Sequence, residues 1–115
     1  MRTIAAIVAV GVLLASIHAQ AEDAVVTRIE YKSARWEIEL KSTADFPMGA
    51  QPLVLRIGSR MFKRSKPQRD LRVVVFYLTD EEYAALADGE PMSVAYGEAE
   101  DAPRWSVPPL RKPRL

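Results

Sequence analysis

The sequence predicts a mainly β, α+β fold: a small antiparallel β-sandwich or partly open barrel of about six strands with one short helix near residues 80–88. Three observations carry that expectation. Val25–Tyr31 and Trp36–Lys41 alternate apolar and polar residues with a period of two. Leu71–Leu78 is dense in β-branched and aromatic residues and interrupted only by Arg72, which suits a central strand covered on both faces. Between Leu78 and Met92 the pattern changes to that of a single capped helix.

Taken in order, Met1–Ala21 reads as a secretory signal peptide. Arg2 supplies a positive n-region, and Ala19-Gln20-Ala21 is a small-x-small cleavage site followed at once by Glu22 and Asp23. The apolar run Ile4–Ile17 has about fourteen residues, short of the roughly 20 needed to span a bilayer. The expectation is therefore export, periplasmic or secreted, with no membrane span after processing. Residues 22–107 then form a single β-rich domain, and 108–115 a Pro-rich basic tail that reads as extended or frayed.

Val25, Thr27, Ile29 and Tyr31 share one expected inward face, with Arg28, Glu30 and Lys32 on the other. Trp36, Ile38 and Leu40 repeat this against Glu37, Glu39 and Lys41, and the short link Lys32-Ser33-Ala34-Arg35 joins the two runs as a hairpin. Ser42–Gln51, with Pro47 and Gly49, reads as a crossing loop. Leu53, Leu55 and Ile57 form a third strand. Gly58-Ser59 suits a two-residue turn with Gly first, which puts Phe62 across from Leu55 on the return strand Arg60–Arg64. Ser65–Asp70 is a polar loop.

Thr79 and Glu82 have the spacing of a capping box, with Leu78 and Tyr83 placed to staple across it. Asp80, Glu81 and Glu82 put negative charge in the first turn, where the helix dipole favours it. Gly89 and Pro91 mark the expected end of the helix. Met92, Val94 and Tyr96 restart the period of two, and an acidic loop, Glu98–Pro103, leads to the short segment Trp105-Ser106-Val107.

Composition narrows the chemistry. The chain has no Cys, and its one His, His18, lies in the expected leader. The processed chain is left without a thiolate, a Ser-His-Asp triad or a conventional zinc site, so no cofactor is expected. The sequence holds 16 Lys and Arg against 15 Asp and Glu, and loss of Arg2 brings these into balance.

Those charges are segregated. Arg56, Arg60, Lys63, Arg64, Lys66, Arg69 and Arg72 are opposed only by Asp70, whereas Asp80–Asp101 is acidic throughout. One reading is a basic hairpin and loop (Arg60, Lys63, Arg64, Lys66, Arg69) that engages a protein or an anionic envelope component. The other is a solvated face whose exposed pairs are each worth about 0–1 kcal/mol. Trp105, between Arg104 and Pro108, reads as docked on the sheet or available to that partner. Nucleic acid is not an expected partner, because no aromatic residues interleave with the basic ones as a stacking platform.

Glu37 and Glu39 project from one outward face about 7 Å apart. Two such carboxylates could serve a glycoside hydrolase as acid and base, or simply solubilise an exposed face. Tyr31, Trp36 and Tyr77 read as core residues. The leading expectation is a non-catalytic exported binding protein. The alternatives are a carboxylate-dependent polysaccharide hydrolase using Glu37 and Glu39 or the acidic loop Glu98–Asp101, an inhibitor or immunity-type protein, and a structural accessory tethered by its basic tail.

Overall fold

The structure, a computed structural model, describes residues 24–113. The expected leader, 1–21, lies outside the described residues. The chain order is β1 (Ala24–Lys32), β2 (Arg35–Ser42), β3 (Leu53–Ile57), β4 (Arg60–Phe62), β5 (Val73–Leu78), α1 (Asp80–Ala84), β6 (Met92–Tyr96) and β7 (Arg104–Val107). The strands form two antiparallel sheets, β1-β2-β5 and β4-β3-β6-β7. The described residues thus hold seven strands, the expected Trp105–Val107 segment being the seventh.

Both sheets contribute to one apolar core. Ile38 and Leu40 from β2 and Val74, Phe76 and Leu78 from β5 meet Leu55, Ile57, Phe62 and Val94 from the other sheet. Leu55 lies opposite Phe62, as the Gly58-Ser59 turn requires, and Gly58 has the positive φ that only its missing Cβ makes cheap. The first hairpin turns through Ser33 and Ala34, both with positive φ (55° and 63°). Such a turn favours Asn-Gly, so two side-chain-bearing residues hold it under strain.

Strand β1 departs from the alternating pattern. Val26 pairs with Leu40 but Arg28 pairs with Glu39, so Thr27 is an extra residue, a β-bulge. The bulge reverses the parity of every residue before it. Ala24, not Val25, enters the core; Val25 is 43% exposed and Thr27 faces solvent. Beyond the bulge Ile29 packs against the core as expected, but Tyr31 runs past it and is 50% exposed.

Strand β5 is buried on its inner face and at Val75, but it ends the three-stranded sheet rather than lying at its centre. Its second edge is met by the segment after β4. Tyr77 N–H donates to Arg64 C=O and Lys66 N–H to Val75 C=O, both at 2.9 Å, with a bridge between Ser65 and Phe76. Leu71 lies outside the strand and is exposed.

The capping box forms as read. Glu82 N–H donates to Thr79 Oγ1 at 3.1 Å, and Thr79 N–H to Glu82 Oε1 at 2.8 Å. The helix stops at Ala84, short of 88, with Ala85 as its C-cap. Leu86 N–H turns back to Tyr83 C=O and Glu90 Oε2 accepts from Ala87 N–H, which lets Leu86 drop into the core. Gly89 takes positive φ within the following turn, not at the helix end.

Two core residues come from segments without periodicity. Phe46, in the crossing loop, is 1% exposed and meets Trp105 edge-on at 5.3 Å. Leu110, in the basic tail, is fully buried. Its N–H donates to Glu90 C=O and its C=O accepts from Gly89 N–H, while Lys112 N–H donates to Asp88. Of the two expectations for the tail, extended or frayed, fraying fails over 108–113: one leucine and four hydrogen bonds, the fourth from Lys112 Nζ to Leu86 C=O, hold it down.

Candidate functional site

The outer face of the three-stranded sheet carries the candidate site. Pairing β1 with β2, β2 with β5, and β5 with Arg64–Lys66 lays out a cross-strand row of Arg28, Glu39, Val75 and Lys66, with neighbours about 5 Å apart. The next row holds Glu30, Glu37, Tyr77 and Arg64. The unbroken register from the Ser33-Ala34 turn places Arg28 opposite Glu39, and the bulge shifts only the residues before it. Its guanidinium reaches Glu30 at 2.7 Å, Glu37 at 3.1 Å and Glu39 at 3.5 Å. Thr27 Oγ1 also donates to Glu39 Oε1 at 2.8 Å.

Glu37 is 3% exposed, so it is not the solubilising residue that strand alternation suggests. A buried carboxylate needs a partner, and Arg28 provides it. Burial pulls the Arg28 pKa down, but hydrogen bonds to Glu37 and Glu30 and the charges of Glu39 and Glu37 outweigh it and leave the guanidinium above its ordinary value. Both carboxylates proposed as an acid–base pair are thus bonded to one arginine.

Beside this network residues 66–70 of the Ser65–Asp70 loop, with Val73 and Val75, line a groove of about 500 Å³. The loop is braced: Gln68 Nε2 donates to Val73 C=O, and Asp70 accepts from Arg72 N–H, both at 2.9 Å. Lys66, Arg69 and Arg28 line the groove around an apolar floor, with Glu39 and Asp70 between them.

The structure sorts the five basic candidates into two groups. Lys63 pairs with Glu98 at 3.1 Å, and Arg64 pairs with Glu82. Arg60 donates to the Ala85 carbonyl at 3.4 Å at the helix C-terminus, and Lys112 takes the Leu86 carbonyl at 2.8 Å. These two cations satisfy carbonyls a helix end leaves orphaned. Lys66 and Arg69 have no ion pair among the described residues, and they alone of the five line the groove. Trp105 faces the core, opposite Val94 and against Phe46, away from the groove.

Arg56 and Lys63 do different work on the outer face of the other sheet. Val54 and Ala95, directly opposite each other, are fully buried there. Arg56 donates to the carbonyls of Glu98 and Ala99 at 3.0 and 3.2 Å and Lys63 pairs with Glu98, so the acidic loop is bonded to cations of this face.

An aromatic column stands at the end of β2. Trp36 stacks on Tyr83 at 3.9 Å, Tyr31 meets Trp36 edge-on at 5.4 Å, and Lys112 lies 4.6 Å from the Tyr83 ring centre. Trp36 Nε1 donates to Asp80 at 3.0 Å, tying α1 to β2. Tyr77 lies under the Arg35 guanidinium at 3.7 Å. These rings are engaged with their own chain, but Tyr31 is exposed and Tyr77 lies on the outer face of the sheet, so of the three expected core residues only Trp36 packs against the core.

Sequence reasoning puts Arg28 on the outward face but misses its role as the partner of Glu37, because alternation shows which face a residue takes and not that a carboxylate on that face is buried. Compared with known proteins, the chain matches no family model, no curated protein and no solved structure.

Proposed function

We propose that the chain is a non-catalytic exported binding protein that engages an anionic partner, a protein surface or an envelope component, through the face carrying Lys66 and Arg69. One observation carries this reading. Of the cations in the basic hairpin and loop, Arg60, Lys63 and Arg64 are bonded within the chain, whereas Lys66 and Arg69 are left to converge on a braced groove. Unpaired cations beside a concave apolar floor favour an anionic ligand. Export rests on the Met1–Ala21 pattern.

The hydrolase alternative draws less support, because Glu37 is buried and both it and Glu39 are committed to Arg28. For the architecture, we favour the partly open barrel. Arg64–Lys66 carries backbone hydrogen bonds from the β4 segment to β5, and at the opposite side β1 and β7 approach without pairing.

Reversing Lys66 and Arg69 to Glu tests the function through salt-dependent retention on an anionic matrix and through pull-down from envelope extract. Loss of both supports the reading. Unchanged retention, or turnover of a polysaccharide that Glu37→Gln abolishes, overturns it.

A further inference from the structure

The two sheets end on strands that face each other without bonding. Strand β1 comes within 8 Å of β7 at Cα, yet the ladders give β1 only β2 and β7 only β6 as partners. No backbone group of β1 bonds to any other described segment. The chain leaving β7 cannot fill the gap, because Pro108 and Pro109 have no N–H to donate and Leu110 bonds instead to Gly89 and Glu90. Between β1 and this tail lies a second groove of about 330 Å³. Val25, Ile29, Pro108 and Pro109 make it apolar; Arg111 brings positive charge, Arg28 being committed to its glutamates, and no carboxylate lines it.

We infer that this groove accepts an extended segment of a partner protein as an added strand bonded to the free edge of β1, with apolar side chains on the prolines and valine and a carboxylate at Arg111. Three features converge on that occupant. A free strand edge offers main-chain donors and acceptors that an extended peptide satisfies. The apolar walls reward alternate side chains of such a peptide. Arg111 has no ion pair among the described residues and sets the sign of the charge the segment must bring. The bulge at Thr27 is a common guard against indiscriminate edge pairing, so it restricts the edge to a fitted segment. This site is separate from the Lys66 and Arg69 groove and does not depend on it.

The test uses the full processed chain and three short synthetic peptides: one alternating valine with glutamate, one alternating valine with lysine, and the first with alternate amides N-methylated. Binding is followed by titration, and β1 by amide hydrogen exchange. The valine–glutamate peptide is expected to bind and to slow exchange at those β1 amides that point away from β2. The lysine and N-methylated peptides are expected to fail. Arg111→Glu should weaken binding about fivefold, the equivalent of one exposed ion pair. Lys41→Glu, at an exposed position of β2 that lines neither groove, should leave it unchanged. Equal binding of the N-methylated peptide, or no protection in β1, overturns the inference. So does a self-associated protein whose β1 amides are already protected without peptide, because a second copy would then be the occupant.

Discussion

The outer faces of the two sheets carry similar cations and use them in opposite ways. On the four-stranded sheet Arg56 and Lys63 bond to Glu98 and Ala99 of the acidic loop, and Val54 and Ala95 on that face are buried. On the three-stranded sheet Arg28 is absorbed by buried Glu37, while Lys66 and Arg69 stand over an open groove. Residue type does not separate the two cases. What separates them is whether strand register places a carbonyl or carboxylate within reach, and this is why a basic run read from sequence overstates a binding surface.

The comparison can be broken first at Arg28. Arg28→Ala strands a buried carboxylate and should cost about 2–3 kcal/mol, less than the roughly 3–5 of a fully buried pair because the guanidinium is partly solvated. Combining Arg28→Met with Glu37→Leu should recover most of that loss in urea denaturation. On the four-stranded sheet, Arg56→Ala removes two hydrogen bonds from a charged donor and should cost about 1–2 kcal/mol. It should also speed amide exchange over residues 98–102, which Arg28→Ala should not. Ala34→Gly belongs to neither face and serves as a control. Relief of its positive φ should stabilise the protein by about 1 kcal/mol in the same denaturation series.

Replacing Lys66 and Arg69 by Ala should change stability by less than about 0.5 kcal/mol, since neither holds structure in place. The smallest expected effect is one of pH. Hydrogen bonding from the Thr79 backbone, opposed by burial and aided by the Arg64 charge, holds the Glu82 carboxyl below its usual range. Its contribution is therefore complete above the carboxyl's unfolded pKa and is lost as pH falls through the lower folded value. Glu82→Gln should flatten that part of an acid titration of stability, and Arg64→Gln should shift it upward.

Much of the frame was legible where periodicity and turn chemistry agree. The Gly58-Ser59 turn fixed Phe62 against Leu55, and Thr79 with Glu82 capped the helix as their spacing requires. Legibility ended where one residue breaks a period or a loop supplies the core. Thr27 looks like another alternating position, yet as a bulge it exposes Val25 and turns Ala24 inward. Phe46 and Leu110 sit among Pro, Gly and charged neighbours, and no local pattern marks them as buried. Arg60, Lys63 and Arg64 could not be told from Lys66 and Arg69, because their partners lie 18 to 35 residues away in sequence.

The central claim is that only the second half of the basic segment is available to a partner. Two double variants test it directly, Lys63→Glu with Arg64→Glu and Lys66→Glu with Arg69→Glu, because both change the net charge equally. Retention on an anionic matrix across a salt series should collapse for the Lys66 and Arg69 pair and persist in large part for the other. Equal losses would show that net charge alone governs binding, and a larger loss for Lys63 and Arg64 would contradict the assignment of the site.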